Sequence, residues 1–236
     1  MLKKINKSIK KILIITNYKK NFFLKLFKKI DNVEVLILNL KKKNDLKKFF
    51  KFNQRFDYLI SFASGYIFKK DFLLKFKKCF NFHPAPPSYR GRDVQHFACF
   101  NKENYYGGTL HLMNEKIDSG RILFTVKKKI NKKKYYHNYF KKIGIDSIKT
   151  LFKKKIFMLI SKKTLSSKKI SWGDKLYTRK MFLENLEIKD NISYKNYLHL
   201  LKSFHNSNFP SIYIKYKNKK IYLKNKKDFK KIKQYL

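Results

Sequence analysis

Short apolar runs alternate with amphipathic stretches up to His83, and this alternation constrains the fold more than any other feature of the chain. "KILIIT" (Lys11–Thr16), "VEVLIL" (Val33–Leu38), "DYLISF" (Asp57–Phe62) and "CFNFH" (Cys79–His83) read as strands. The first is apolar almost throughout, as a strand covered on both faces requires. Between them, "NFFLKLFKKI" (Asn21–Ile30), with Asn21 as candidate N-cap, and "NDLKKFFKF" (Asn44–Phe52) read as amphipathic helices. A third helix is expected over Lys70–Phe76. Strands joined by crossover helices give an α/β fold of the Rossmann-like kind with a mostly parallel sheet. Ligands of such sheets sit beyond the carboxyl ends of the strands.

The pattern continues with a helix at Val94–Phe100, a strand "GGTLHLM" (Gly107–Met113), a turn "DSG" (Asp118–Gly120) and a strand "RILFTV" (Arg121–Val126). A long helix over Tyr136–Ser161 has Phe140, Ile143, Leu151, Phe152 and Leu159 on its expected core face. "SKKTLSSKK" (Ser161–Lys169) reads as a polar linker, which divides the chain into a catalytic domain, 1–165, and a C-terminal extension, 166–236. Alternating runs around Lys217-Asn218, within Ile212–Lys224, predict a terminal β-hairpin. No apolar run reaches the roughly 18 residues of a membrane span. Cys79 and Cys99 supply neither a disulfide framework nor a metal-ligand spacing, and read as ordinary buried thiols. A soluble cytoplasmic protein without a membrane partner or a metal is expected.

The formal charge of +44 invites a nucleic-acid reading. Of the 59 basic residues, however, only five are Arg, at 55, 90, 92, 121 and 179, and Ala occurs only at 63, 85 and 98. Lys, Asn, Ile, Phe and Tyr have AT-rich codons, so an AT-rich genome yields this composition whatever the protein does. Base-reading sites lean on Arg forks, which are scarce here. No specific nucleic-acid partner is therefore expected, although weak, salt-sensitive binding to polyanions follows from the charge.

One window escapes that bias. Asn81–Arg121 holds three of the four prolines, four of the seven glycines and three of the five arginines, but only two lysines, Lys102 and Lys116. Pro84, Pro86 and Pro87 stiffen the loop that leaves the fourth strand. In "NFH", Asn81 and His83 stand two apart and face one side of the strand, while Phe82 faces the other. Asp118 follows in a turn after the neighbouring strand. An Asn amide can donate to an oxyanion, a His can exchange a proton, and an Asp can orient the imidazole and favour its charged form. The set suits acyl transfer to an amine, and without a nucleophile elbow the attack comes from the substrate itself. Taken singly, Asn81 can be a turn cap, His83 a core histidine and Asp118 a plain turn residue. His111 reads first as structural and second as catalytic, and His96 either lines a pocket or packs.

"NFHPAPPSYRG" followed by "GGTLHLMNEKIDSG" resembles the signature of formyltransferases that use 10-formyltetrahydrofolate. That family includes glycinamide ribonucleotide, methionyl-tRNA and sugar-nucleotide N-formyltransferases. The resemblance implies catalytic roles for Asn81, His83 and Asp118, and a pteridine site formed by Tyr66, Ile67, Glu115, Ile117 and Asp118. The glycines at 107, 108 and 120 are expected to let backbone approach the flat ring. "TNYKKN" (Thr16–Asn21) lacks the glycine-rich phosphate loop of the purine enzymes, and the stretch after the linker looks too short for the β-barrel of the tRNA enzymes. "WGDKLYTRKMFLENLEI" (Trp172–Ile188) and the Phe209-Pro210 hairpin region look like the C-terminal part of sugar-nucleotide formyltransferases acting on amino-dideoxyhexoses for surface polysaccharide, such as O-antigen.

The resemblance thus implies transfer of a formyl group from 10-formyltetrahydrofolate to the amine of a nucleotide-linked amino-dideoxy sugar. Arg90, Gln95 and Arg179 are expected to meet that substrate, and there is room for a homodimer. Two other readings stay open at this level: a methionyl-tRNA formyltransferase-like enzyme, and a basic nucleic-acid-binding protein on an inactive scaffold of the same kind.

Overall fold

The computed structural model describes residues 9–50, 54–161, 169–205 and 211–236. Most of the expected linker, at 162–168, and the Phe209-Pro210 element lie outside the described residues. A six-stranded sheet forms the centre, built from β1 (Lys10–Thr16), β2 (Val33–Leu38), β3 (Tyr58–Phe62), β4 (Lys78–His83), β6 (Tyr105–Leu112) and β7 (Ile122–Lys129). Their order is β2-β1-β3-β4-β6-β7. β1 pairs in parallel with β2 and β3, and β3 with β4, whereas β6 runs antiparallel to both β4 and β7. The chain therefore reverses direction after β4, at the proline-rich loop. That loop leads through the two-residue strand β5 (Arg90–Gly91) into α4 (Val94–Phe100).

The apolar character of β1 has the consequence expected of it, since Ile12, Leu13, Ile14 and Ile15 are all fully buried. Ile12 and Ile14 face a phenylalanine-rich layer under α1 (Lys20–Phe27) and α5 (His137–Ser161). Leu13 and Ile15 face the opposite layer with Leu38, Phe49, Phe56 and Phe68, beside α2 (Lys43–Phe50) and α3 (Lys70–Leu73). Phe152 of α5 lies 5.2 Å from Phe23, 5.6 Å from Phe62 and 5.0 Å from Phe82, ring centre to ring centre. Truncating a ring so enclosed typically costs about 3–5 kcal/mol. All five residues assigned to the core face of the long helix are buried.

Three local details differ from the sequence reading. The cap of α1 is Lys19, in extended conformation and without a side-chain hydrogen bond, so Asn21 lies inside the helix and caps nothing. α3 is a single turn that ends at Leu73, three residues short of Phe76. The glycines at 107, 108 and 120 face protein and not a ligand ring. A Cβ on Gly107 would meet the Val126 carbonyl, one on Gly108 the Ile148 side chain, and one on Gly120 the Leu112 carbonyl. Their smallness serves strand and helix packing.

The loop after β4 is pinned from two sides. Thr109 Oγ1 donates to the Ala85 carbonyl at 2.7 Å. Gly144 of α5 sits so close that a Cβ there would lie 2.1 Å from the Pro84 oxygen. Later in the chain, β8 (Leu176–Tyr177) runs parallel to β5. α6 (Arg179–Glu184), α7 (Tyr194–Phe204), the hairpin β9 (Tyr213–Tyr216)/β10 (Lys219–Tyr222) and α8 (Phe229–Tyr235) follow. The hairpin turns at Lys217-Asn218, both with positive φ (44° and 62°), as a tight two-residue connection requires. Phe182, Tyr197, Phe204 and Ile214 from this segment share one core with Val94 and Phe97 of α4 and Phe140 of α5. The extension is thus packed onto the face that carries the proline-rich loop. Among the described residues, no helix is long and apolar enough to cross a membrane.

Candidate active site

Alternation along β4 sends Phe82 into the phenylalanine layer, where it is fully buried, and turns Asn81 and His83 to the other face. Antiparallel pairing with β6 then sets His111 directly opposite Asn81, and Thr109 opposite His83. The turn after β6 brings Asp118 over these side chains. Its backbone is left-handed, with φ of 42°, a conformation that non-glycine residues hold only when their surroundings enforce it.

The enforcement comes from the segment after the prolines. Arg90 Nε donates to the Asp118 carbonyl at 2.8 Å, and a terminal nitrogen of the same guanidinium donates to the Ile117 carbonyl at 3.2 Å. The Gly91 N–H donates to Asp118 Oδ2 at 2.9 Å. Within the turn, Asn114 Oδ1 accepts from the Lys116 N–H and the Ser119 hydroxyl.

Asp118 joins the other polar groups. Its Oδ1 accepts from Asn81 Nδ2 at 3.1 Å and lies 3.3 Å from His111 Nε2. Its Oδ2 lies 3.4 Å from His83 Nδ1. The carboxylate is almost wholly buried. Burial alone would raise its pKa, but the His83 and His111 imidazoles beside it and the Gly91 N–H together hold it well below the usual range. Asp118 is therefore an anion at any physiological pH.

Each histidine has one nitrogen committed to a backbone carbonyl. His83 Nε2 lies 2.7 Å from the Tyr89 oxygen, and His111 Nδ1 lies 2.7 Å from the Leu112 oxygen. A carbonyl only accepts, so both of those nitrogens carry hydrogen. This leaves His83 Nδ1 and His111 Nε2 facing the carboxylate. Tyr89 is itself fixed by stacking on Tyr177, with centroids 5.3 Å apart.

A strap from the C-terminal extension covers the pair. Trp172 Nε1 donates to the Gly120 carbonyl at 2.7 Å, and its ring meets His111 (4.9 Å) and His83 (6.1 Å) edge to face. The Gly173 N–H donates to the Pro87 carbonyl, and the Arg92 N–H to that of Tyr177.

A cavity of about 480 Å³ opens in front of this cluster. Asn81, His83, His111 and Asp118 form its floor. Tyr66, Ile67, Glu115 and Ile117 line its walls, with Ile67 and Ile117 presenting exposed apolar surface. Gln95 and Arg179 also line it. Arg179 donates to Asp93 Oδ2 at 3.1 Å, across a residue with a second left-handed backbone (φ 60°). Arg90 does not line the cavity, because its guanidinium is spent on the carbonyls of Ile117 and Asp118 and on Gly173. It holds the Ile117–Asp118 turn from outside the cavity, away from the expected place among the substrate contacts.

His96 takes the packing alternative. It is buried in a stack with His137 at 4.4 Å, flanked by Phe182, and Nδ1 meets the Ser203 carbonyl at 2.7 Å. Burial and the neighbouring His137 push it down to about 3, so it is neutral. Burial raises the thiols of Cys79 and Cys99, to about 12 and about 11, which keeps them unreactive. Among the described residues no group of His, Cys, Asp and Glu is placed to hold a metal ion.

His111 and Trp172 are the site residues that sequence reasoning missed. The signal for His111 was its place in the alternation of "TLHLM", which puts it on the face of Asn81 once the two strands are known to be neighbours.

The mostly parallel sheet thus carries Asn81 and His83 at a strand end and Asp118 in the turn after the neighbouring strand. The chain belongs to the formyl transferase family, whose profile matches residues 4–148. Over nearly its whole length the fold is similar to a sugar N-formyltransferase from Shewanella sp FDAARGOS_354. That likeness has 21% identity and a TM-score of 0.71, and covers 92% of this chain and 97% of the other. An N-formyltransferase from Helicobacter canadensis, solved in complex with folinic acid and dTDP-3-aminofucose, is also similar. It has 21% identity and a TM-score of 0.62, and the likeness covers 90% of this chain and 86% of that one. A methionyl-tRNA formyltransferase from Borreliella afzelii (strain PKo) is 44% identical over 69 residues, which are 28% of this chain. The matched stretch is 22% of that relative's length, so the chain spans about a fifth of the curated relative it matches.

Proposed function

We propose that this protein transfers a formyl group from 10-formyltetrahydrofolate to the amine of a nucleotide-linked amino-dideoxy sugar, of the kind built into surface polysaccharide. The observation that carries the reading is the buried Asp118 carboxylate, which meets Asn81 and His83 at the floor of the cavity. The acceptor amine attacks the formyl carbon, the bond from that carbon to N10 of the folate breaks, and one proton passes from the amine to N10. His83, through the Nδ1 not tied to Tyr89, takes the proton from the attacking nitrogen and yields it to the leaving one. Asn81 and protonated His83 stabilise the tetrahedral oxyanion. Asp118 supports the imidazolium, and its depressed pKa keeps the charge in place. Ile67 and Ile117 suit the faces of a flat pteridine, Tyr66 and Glu115 frame it, and Gln95 and Arg179 meet the acceptor.

Support for the acceptor class is the near full-length likeness to sugar N-formyltransferases, one of them holding a dTDP-linked amino sugar. The short, stronger likeness to methionyl-tRNA formyltransferases favours a second reading, with charged initiator tRNA as acceptor. Incubation with 10-formyltetrahydrofolate and either dTDP-3-aminofucose or methionyl initiator tRNA separates them. Formylated sugar nucleotide is the expected product, and formylation of the tRNA alone would overturn the assignment.

A further inference from the structure

The Asn81 amide nitrogen carries two hydrogens, and both are engaged. One faces Asp118 Oδ1 and the other faces His111 Nε2, each at 3.1 Å. The reverse amide orientation would set its oxygen against the carboxylate, so the carboxylate fixes the direction of the amide. An Asn in this state has nothing left to offer an oxyanion. One of its two partners must let go first.

His111 is the partner built to do so. Its Nδ1–H is held by the Leu112 carbonyl, so Nε2 is the one position where its proton count can change. That atom lies between Asn81 Nδ2 and Asp118 Oδ1, at 3.1 and 3.3 Å. The groups facing the ring are Asn81 from β4, Asp118 from the turn and the Trp172 edge from the strap, with His83 on the far oxygen of the same carboxylate. The ring is buried, so it cannot swing away to avoid a lone pair set against an anion.

We propose that His111 is a positioning residue whose proton decides whether the Asn81 amide is free to act as an oxyanion donor. When Nε2 is bare, it accepts one Asn81 hydrogen and holds it. When Nε2 takes a proton from solvent, the new N–H donates to Asp118 Oδ1 and the displaced Asn81 hydrogen turns into the cavity. Loss of that proton to solvent reverses the change. The competent site therefore holds one proton on its two histidines beyond the two tied to carbonyls before the amine arrives: His111 charged to release Asn81, and His83 neutral to act as base. This rests on the proposed formyl transfer, and it adds a requirement that the Asn, His and Asp set alone does not impose. Turnover must fall on the alkaline side because His111 loses its proton.

The test has two arms. In the first, ¹⁵N-labelled wild-type protein is followed by imidazole ¹H–¹⁵N correlation across pH, free and with folinic acid. His111 is expected as the Nδ1–H tautomer at high pH, gaining a second proton at Nε2 as pH falls. A ring that stays in one protonation state across the whole pH range in which the protein is folded overturns the proposal, whatever the acceptor proves to be. In the second, His111→Gln is assayed with dTDP-3-aminofucose. Its amide can place a permanent N–H near the Nε2 position. It should keep kcat within about threefold of the wild-type maximum and lose the alkaline limb, whereas His111→Leu, with no donor, should lose about 100-fold in kcat at little-changed KM. A wild-type alkaline limb in His111→Gln refutes the idea. If that variant fails to fold, the spectroscopic arm decides. If the wild type leaves this sugar unformylated, the acceptor assignment fails while the spectroscopic arm still stands.

Discussion

Arg90 reaches across 28 positions of sequence to donate to the backbone carbonyl of Asp118 at 2.8 Å. One residue later, the Gly91 N–H holds the Asp118 carboxylate. The proline-rich loop therefore does more than leave the sheet, because its end fixes the aspartate in an otherwise disfavoured backbone conformation.

Replacing Arg90 by Lys keeps the charge but loses the planar fork that spans two carbonyls. The Asp118 turn should relax, and displacement of a reacting group by about 1 Å can cost on the order of 100-fold in rate. Arg90→Lys is expected to lower kcat to that extent and to weaken folinic acid binding, measured by calorimetry, because the Ile117 wall moves with the turn. A variant within twofold of wild type in both would show that the turn holds its shape unaided.

Under the proposed reaction, Asn81→Ala removes an oxyanion donor and should cost about 100- to 1000-fold in kcat. Asp118→Asn removes the buried charge that His83 and Asn81 both face, and should cost at least as much. Groups that act as a unit lose activity non-additively. The double variant should accordingly be little worse than the poorer single one, with folinic acid affinity changed far less than turnover. Strictly multiplicative losses would separate the two residues into independent roles.

His96 makes stability pH-dependent. Its folded pKa is depressed, so between its ordinary value of 6.5 and about 3 the unfolded chain binds the proton more readily. Stability should hold above the upper value and fall as pH drops, at up to about 1.4 kcal/mol per pH unit. His96→Phe keeps a ring in the stack but forfeits the hydrogen bond to Ser203, at about 1 kcal/mol. Urea unfolding should find it weaker than wild type near neutrality and less sensitive to acid. An unchanged acid slope would shift the effect to His137, whose pKa burial also lowers.

Trp172 is the single tryptophan, so its emission reports on the site alone. Folinic acid binding should change that emission in wild type. Trp172→Phe keeps an aromatic ring over His111 and loses the bond to the Gly120 carbonyl, at about 1 kcal/mol. Trp172→Ala opens both histidines to water and should lower kcat well below the Phe variant. Equal turnover in the two variants would limit Trp172 to fastening the strap.

The alternation of apolar runs was enough to place β1, β2, β3 and β4, because strands in a covered sheet announce themselves by residue type. Asn81 and His83 were legible for the same reason, since a period of two sets them on one face. His111 was not, because its importance depends on the antiparallel register that sets it opposite Asn81, and that register spans a long, irregular connection. The carbonyl partners of Arg90 were out of reach on similar grounds: an Arg near a cavity reads as a ligand contact until such partners are known. The glycines at 107, 108 and 120 show the limit of composition, since small size is required equally by a ligand and by a neighbouring strand.

The family profile ends at residue 148, yet Trp172, Tyr177, Thr178 and Arg179 all border the cavity or its histidines. The polar floor and one part of the wall are thus encoded in separate stretches, joined where β8 lies along β5, where Trp172 holds the Gly120 carbonyl and where Arg179 meets Asp93. Under the proposed reaction, exchange of the later stretch would alter what the cavity admits while Asn81, His83 and Asp118 stay as they are, so one reaction centre could be refitted to new acceptors by changes in the tail.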